Sequence, residues 1–374
     1  MPITLDGSNG ITTPMYNGSI TANAVTPSVN MKNRIINGAM VIDQRTAGAS
    51  ITANDAVFGV DRFQFGASQT SKGTLQQDAG AVTPPAGFTD YLGFTSSSAY
   101  SLVTSDFFVI MQKVEGFNMA DFNWGTANAK TVTLSFWVRS SLTGTFGGSL
   151  ENSANNRCYV FSYTINSANT WEQKSITIVG DTSGTWLTTN GMGTNIRWGL
   201  GVASDRSGTA GSWGSTRFFS ATGATSVVGT NGATFYLTGV QLEVGSTATS
   251  FDYRPYGTEL ALCQRYYYKI KSLGSGYDYA LGYAVSSTVY RDFTPFPVTM
   301  RTNPTSLEQT GTASDYSVRA PAGTVTCSAV PFYYGGITNG AITEYTVASG
   351  LTTGQGSSSR FPNVNGYVAW SAEL

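Results

Sequence analysis

The stretch Thr131 to Arg139 reads TVTLSFWVR, and its side chains separate by strict alternation. Val132, Leu134, Phe136 and Val138 fall on one side of an extended chain, while Thr131, Thr133, Ser135, Trp137 and Arg139 fall on the other. Successive side chains of a strand point to opposite faces, so this pattern describes a strand with one face in a core and one toward water. The same reading extends outward along the chain. Cys158 to Ile165 turns Tyr159, Phe161, Tyr163 and Ile165 inward, and Ile196 to Val202 does so with Ile196, Trp198, Leu200 and Val202. In Ala233 to Val244 the inward set changes phase from Phe235 and Leu237 to Val240 and Leu242, and the slip at Gly239 predicts a bulge. Short alternating runs punctuated by Gly, Asn, Asp and Ser clusters fill residues 33–255, which is the pattern of a β-sandwich.

Composition agrees with an all-β chain. Of 374 residues only 11% are charged, against about a quarter in typical soluble domains, while 43 glycines, 20 tyrosines and 20 phenylalanines accompany abundant Ser, Thr and Asn. The net charge of −1 gives no overall attraction to polyanions, so neither nucleic-acid binding nor a membrane-surface role is expected. The histidine count is zero, which removes Ser-His-Asp and Cys-His nucleophile arrangements and His-based zinc sites. Cys158, Cys263 and Cys327 are far apart with no CxxC pair, and read as buried free thiols of a chain made in a reducing cytoplasm. Met1 to Val29 lacks a basic and apolar export signal, and no run of 18 apolar residues follows, so Sec export and membrane insertion are not expected.

Four segments follow from texture. Residues 1–32 carry few charges and only short apolar pieces, and read as an extended N-terminal arm that is either a disordered leader or ordered on a partner. Residues 33–255 form the sandwich. Residues 256–270 contain the one helical pattern, TELALCQRYYYKI from Thr258, with Thr258 as cap and Leu260, Cys263, Tyr267 and Ile270 at helical spacing. Residues 271–374 return to strand texture, beginning with the alternation of Tyr277, Tyr279, Leu281, Tyr283 and Val285, and suffice for a second small β domain. No period of 20 to 50 residues supports a solenoid or propeller.

Candidate chemistry is sparse. Glycosidase work needs two carboxylates at a suitable separation, and spacing selects none among Asp61, Asp106, Glu115, Asp121, Glu172 and Glu243. Asp121 and Glu172, near Trp124 and Trp171, have the most glycosidase-like surroundings, although a structural role is the simpler reading. The glycine-rich segments 145–149 and 208–214 lack the order of a phosphate cradle and read as turns. Sugar binding needs flat apolar faces beside amides and hydroxyls. Trp186 in DTSGTWLTTNG and Trp213 in GTAGSWGSTR sit in polar loops, as candidates either for ligand stacking or for anchoring those loops. Tyr333 and Tyr334 in PFYYGGITNG are further candidates, as are Arg360 and Asn363 in SSSRFPNVNGY. No cofactor and no metal ligand set is expected.

Several pieces, in their order, carry a family likeness: Asn33–Met40 (NRIINGAM), Gly59–Phe63 (GVDRF), Gln112–Gly116 (QKVEG), Thr131–Ser140, Asp181–Trp186 (DTSGTW), Gly239–Gly245 (GVQLEVG) and Tyr253–Tyr267 (YRPYGTELALCQRYY). Together these resemble bacteriophage tail-fibre and related virion proteins, over roughly residues 33 to 270. The resemblance implies a jelly-roll sandwich similar to carbohydrate-binding modules, carried on a phage fibre or spike that is usually trimeric. NRIINGAM also resembles the first strand of galactose-binding-like sandwiches, which often hold calcium; Asp43 and Glu243 occupy comparable places, but two lone carboxylates without an Asp-rich loop do not specify a calcium site, and a surface Asp and a strand-end Glu are the simpler reading. The expected function is a non-enzymatic virion fibre adhesin, joined to other virion proteins through residues 1–32 and recognising a host surface glycan as a homotrimer. The rivals are a structural head fibre, capsid decoration or baseplate part, a glycan depolymerase, and a cellular carbohydrate-binding module.

Overall fold

The computed structural model describes residues 32–320 and 323–374, and the backbone of two short strands, Thr4–Asp6 and Gly10–Thr12, that pair antiparallel. The rest of the arm assigned to residues 1–32 lies outside the described residues, Lys32 excepted. The chain is all-β, with a jelly-roll sandwich, one short α-helix among the described residues, and a smaller β-sandwich. No helix among them is long and apolar enough to cross a membrane.

The first sandwich pairs a seven-stranded sheet with a six-stranded one. The larger runs Trp213–Gly214, Cys158–Ile165, Gly144–Glu151, Met192–Val202, Phe107–Glu115, Phe63–Ala67, Phe58–Val60. The smaller runs Glu172–Ile178, Val132–Ser140, Thr234–Val244, Leu92–Ser96, Gly73–Gln77, Ile51–Thr52. Val132, Leu134, Phe136 and Val138 are fully buried between the sheets, with Tyr159, Phe161, Tyr163, Ile165, Ile196, Trp198 and Leu200 from the opposite layer. The expected wet face of Val132–Ser140 is only partly so. Thr133 and Ser135 are buried as well, because Thr133 donates to the Gly245 carbonyl and Ser135 lies opposite buried Gln241. The bulge at Gly239 is present as a register shift between Thr238 and Gln241. Gly239 has φ +60°, and a Cβ there would lie 2.7 Å from the Phe88 ring, so both backbone and packing require glycine.

Two sequence expectations are corrected. Asn33–Met40 is not a strand: Asn37 and Met40 adopt left-handed φ of 60° and 61°, which breaks any extended run. The segment instead docks on the closing strand through single bonds, Arg34 N to Leu242 O and Val240 N to Gly38 O. The helix is Tyr256–Gln264 with Pro255 at its N-cap, rather than a run from a Thr258 cap to Ile270. Tyr267–Lys271 is a strand that pairs residue for residue with Tyr367–Ser371. Aromatic and β-branched residues suit a pleated surface, and five paired positions outweigh the local helical spacing.

In the second sandwich a seven-stranded sheet, Gly323–Thr326, Ser317–Ala320, Gly356–Phe361, Tyr277–Ala284, Val289–Pro295, Gly340–Thr346, Phe332–Ile337, faces a three-stranded one, Tyr267–Lys271, Tyr367–Ser371, Glu308–Gln309. Tyr290, Tyr316, Tyr345, Phe361 and Trp370 fill its core. The two sandwiches meet at a polar joint. Buried Glu115 accepts two bonds from Arg265, at 2.9 and 2.6 Å, and one from the Tyr266 hydroxyl at 2.5 Å. Arg62 pairs with Glu373, and the Arg45 guanidinium lies 3.6 Å from the Tyr267 ring centroid. Ile36, Ile42, Cys263 and Tyr266 form a small apolar core beneath.

Candidate functional site

Strand register on the seven-stranded C-terminal sheet lays out two neighbouring cross-strand rows. One row is Phe332, Glu344, Arg291, Tyr283 and Gly356; the next is Gly335, Ile342, Phe293, Leu281 and Ser358. Directly paired residues share a face, and this is the face turned away from the core. Leu281 is 76% exposed, Tyr283 52%, Phe293 46%, Phe332 47% and Tyr334 50%. Arg291 holds the rows together: its Nε donates to Glu344 at 2.6 Å while its guanidinium stacks 3.6 Å from the Tyr334 ring centroid. A depression of about 540 Å³ adjoins Leu281, lined also by Arg319, Gln355 and Ser358. The surface therefore offers flat apolar rings beside fixed charges and hydroxyls, which is what a sugar's two sides require.

A bulge creates this face. Tyr277 and Asp278 pair with Phe361 and Arg360, but Ala280 pairs with Ser359, leaving Tyr279 as the extra residue. Tyr277 and Tyr279 thus pack inward on Phe361, at 6.4 and 4.0 Å between ring centroids, whereas Leu281 and Tyr283 turn outward. The uniform alternation read from the sequence is corrected here, since one extra residue exchanges the faces.

The candidate residues from sequence do not form one site. Tyr334 and Arg360 share the outer face but lie four strands apart, about 19 Å at ordinary strand spacing. Arg360 reaches toward Asp278 at 4.0 Å. Tyr333 points the other way, onto the second core, and Asn363 donates to Asp315 at 2.9 Å. Trp186 and Trp213 pack on one another. With Trp124 they form a trio of mutually edge-on rings, 4.7 to 5.3 Å between centroids. Their indoles donate to the carbonyls of Ser183 and Val179. Edge-to-face packing with satisfied N–H groups is how a large aromatic anchors a loop. Leu281, Tyr283, Arg291, Phe293, Phe332 and Glu344 become neighbours only through strand register; alternation marks Leu281 and Tyr283, and the bulge inverts its meaning for them.

Each carboxylate raised as a catalytic candidate is engaged by neighbours. Asp121 pairs with Arg34 at 2.7 Å. Glu172 accepts from the amides of Asn166 and Ser167 and from Lys174. Desolvation works to raise its pKa, but those donors overcome it and bring it down to about 2. Its neighbour Trp171 packs instead on Tyr91 and Tyr236. Asp106 accepts from Ser68, Tyr100 and the Val103 amide. Asp61 accepts from Gln44, and Glu243 from Gln241 and Thr249. Asp43 caps its own turn through Thr46 and Gly48, away from Glu243's partners, so the two do not form a cation cage.

The family-like motif residues have a structural job. Asn33 binds the Val240 carbonyl and the amides of Ile35 and Leu242. Asn37, fully buried, donates to the Ile42 carbonyl and accepts from the Ile42 amide. Gln112 clasps Ile36 at N–H and C=O, and Glu259 joins the Asn37 amide to Arg254. These pieces hold the joint together.

No protein-family model matches the chain, and no curated protein sequence matches it. Among solved structures, the enzymatically active domain of tailspike protein 4 from bacteriophage CBA120 overlaps 57% of this chain and 22% of its own, at 10% identity and a TM-score of 0.33. A family 4 carbohydrate-binding module overlaps 56% of this chain and 98% of its own, at 13% identity and a TM-score of 0.28. The family 11 module of Clostridium thermocellum in complex with a mixed-linked tetrasaccharide overlaps 55% and 100%, at 11% identity and a TM-score of 0.27. The chain thus spans less than a quarter of the tailspike domain. Overlaps of this depth carry no argument about ligand or partners.

Proposed function

We propose that this chain is a phage virion fibre protein that binds a host surface glycan without cleaving it. The observation that carries the reading is the outer face of the C-terminal sheet, where Tyr334 over Arg291, with Tyr283, Phe293 and Phe332 beside it, forms an aromatic platform next to the depression at Leu281. Exposed apolar surface of this kind marks a binding surface. The likeness of the ordered motif pieces to tail-fibre proteins supplies the virion setting, with residues 1–32 as the segment joining other virion proteins. Engagement of Asp121, Glu172 and the other acids in ion pairs and turns supports binding rather than hydrolysis. A homotrimer would present three such faces, so that weak single sites gain avidity once the first has bound.

The test uses the labelled full chain and two variants, Y283A and Y334A, both at exposed positions. Binding to a panel of bacterial capsular and O-chain polysaccharides is measured, with oligomeric state checked on each sample. Binding by the parent and an about tenfold loss in each variant support the reading. Binding unchanged in both variants, or none to any glycan of the infected host, refutes it. The latter result favours the structural head-fibre, decoration or baseplate role, in which the same apolar face covers a neighbouring subunit.

A further inference from the structure

A second site lies on the jelly-roll domain, on the outer face of its seven-stranded sheet. Register places Arg197 opposite Met111 and Ser149, and Asn195 opposite Lys113 and Glu151. The segment from Ser204 to Ser220 folds across this floor and brings Arg206, Arg217 and Phe219 over it. The result is a pocket of about 250 Å³. Its lining holds four cations, Lys113, Arg197, Arg206 and Arg217, against one carboxylate, Asp55. With the paired acids Glu151 and Asp205 counted beside Asp55, a small positive excess remains here.

The state of Arg197 is the decisive feature. Its side chain is 1% exposed, and one nitrogen, Nη2, pairs with buried Glu151. Its Nε and Nη1 are buried and meet no acceptor in the protein. Burying guanidinium N–H groups without acceptors is costly, and native structures seldom leave them so without a functional reason. The Asn195 Oδ1 beside it is likewise buried without a donor, so the floor offers both donors and an acceptor. Glu151 is already taken by Arg197 and by Arg217, whose Nε lies 3.0 Å away. Asp55 accepts the Ala67 amide at 2.9 Å, and Lys113 donates to the Leu374 carbonyl at 2.5 Å. On the apolar side, Phe107 stacks on Phe219 at 4.5 Å, and Phe219 is flanked by the Arg197 and Arg217 guanidiniums.

We infer that this pocket binds a carboxylate-bearing sugar, a uronic or sialic acid residue of an acidic polysaccharide. An unpaired guanidinium N–H of Arg197, its Nη2 already held by Glu151, donates to a carboxylate oxygen as a charge-assisted bond. Asn195 Oδ1 accepts from a sugar hydroxyl, a donor that an orthophosphate ion offers poorly, and the Phe107 wall suits the C–H side of a ring. The site is separate from the C-terminal face and stands or falls independently of it.

The test is calorimetric titration of the full chain with oligogalacturonate, with α-2,8-linked oligosialate, with carboxyl-reduced oligogalacturonate, and with inorganic phosphate, at low and high salt. At least one acidic oligomer binds, its affinity falls with salt, and for galacturonate the carboxyl-reduced oligomer is at least about tenfold weaker. R217Q, at a position 42% exposed and with Arg197 still paired to Glu151, weakens acid binding by about tenfold, with folding of the variant confirmed by its thermal transition. Equal affinity for acidic and reduced oligomers overturns the inference. So does inorganic phosphate binding as tightly as the oligomers, an unchanged affinity in R217Q, or no binding of either acidic oligomer by the folded chain.

Discussion

Asp292 sits inside the second sandwich, on Val289–Pro295, opposite Gly282 and Thr343. It is 2% exposed and has no cationic partner; the Ser359 hydroxyl donates to one oxygen, and Oδ1 meets no donor. Tyr345 is beside it, bonded in turn to the Tyr279 hydroxyl at 2.6 Å. Burial pushes its pKa up to about 7, outweighing the pull of the Ser359 hydroxyl and of its polar neighbours Tyr345 and Thr343. A folded pKa above the unfolded one means that the native state holds the proton longer. The stabilisation is therefore complete below about pH 4 and is lost as pH rises toward and through about 7. A rise from 3.8 to about 7 corresponds to at most about 4 kcal/mol at alkaline pH, less whatever relaxation recovers. D292N keeps the shape and cannot ionise. Urea unfolding of wild type and D292N, followed at pH 5 and pH 8, should show the variant gaining on wild type by up to about 2.5 kcal/mol between the two, because about 1.5 kcal/mol of the loss is already in place at pH 5. The difference between the two proteins cancels the titration of every other group. Equal pH slopes in the two would refute the reasoning, because they would mean that Asp292 ionises in the fold as it does in water.

Other perturbations have equally definite expectations. R265M leaves Glu115 buried with only the Tyr266 hydroxyl, and should cost about 3 kcal/mol in chemical denaturation; a loss below about 1 kcal/mol would show that the joint does not depend on the pair. W186A removes one ring of the edge-on trio and should lower stability by about 3 kcal/mol while glycan binding by the folded protein stays unchanged; intact stability with lost binding would return this tryptophan to the ligand site. G239A forces a side chain into φ +60° and toward Phe88, and should destabilise by about 1 to 3 kcal/mol by thermal melting, whereas a neutral effect would mean that the bulge is adaptable.

The pattern around Thr131–Arg139 was legible because its period is local: alternation depends only on the pleat, and the four inward residues are all buried. The bulge at Gly239 was legible for the same reason, since the phase slip and the glycine coincide in sequence. The helix was half legible. Its start is set by Pro255, but its end is set by a strand more than ninety residues away, Tyr367–Ser371, which recruits Tyr267 into a sheet. Trp186 and Trp213 had polar neighbours that suggested exposure, and only the approach of Trp124 from another loop showed that they face one another.

By itself, then, the sequence determined the all-β class, the core faces of the first sandwich and the absence of histidine chemistry, because composition and period-two alternation belong to the chain before it folds. The tertiary structure alone decided which side chains share a surface. The platform around Tyr334 and the cationic pocket around Arg197 are assembled across strands distant in sequence, and the bulge at Tyr279 sends Leu281 and Tyr283 outward. Register is a property of pairs of strands, and no single strand carries it.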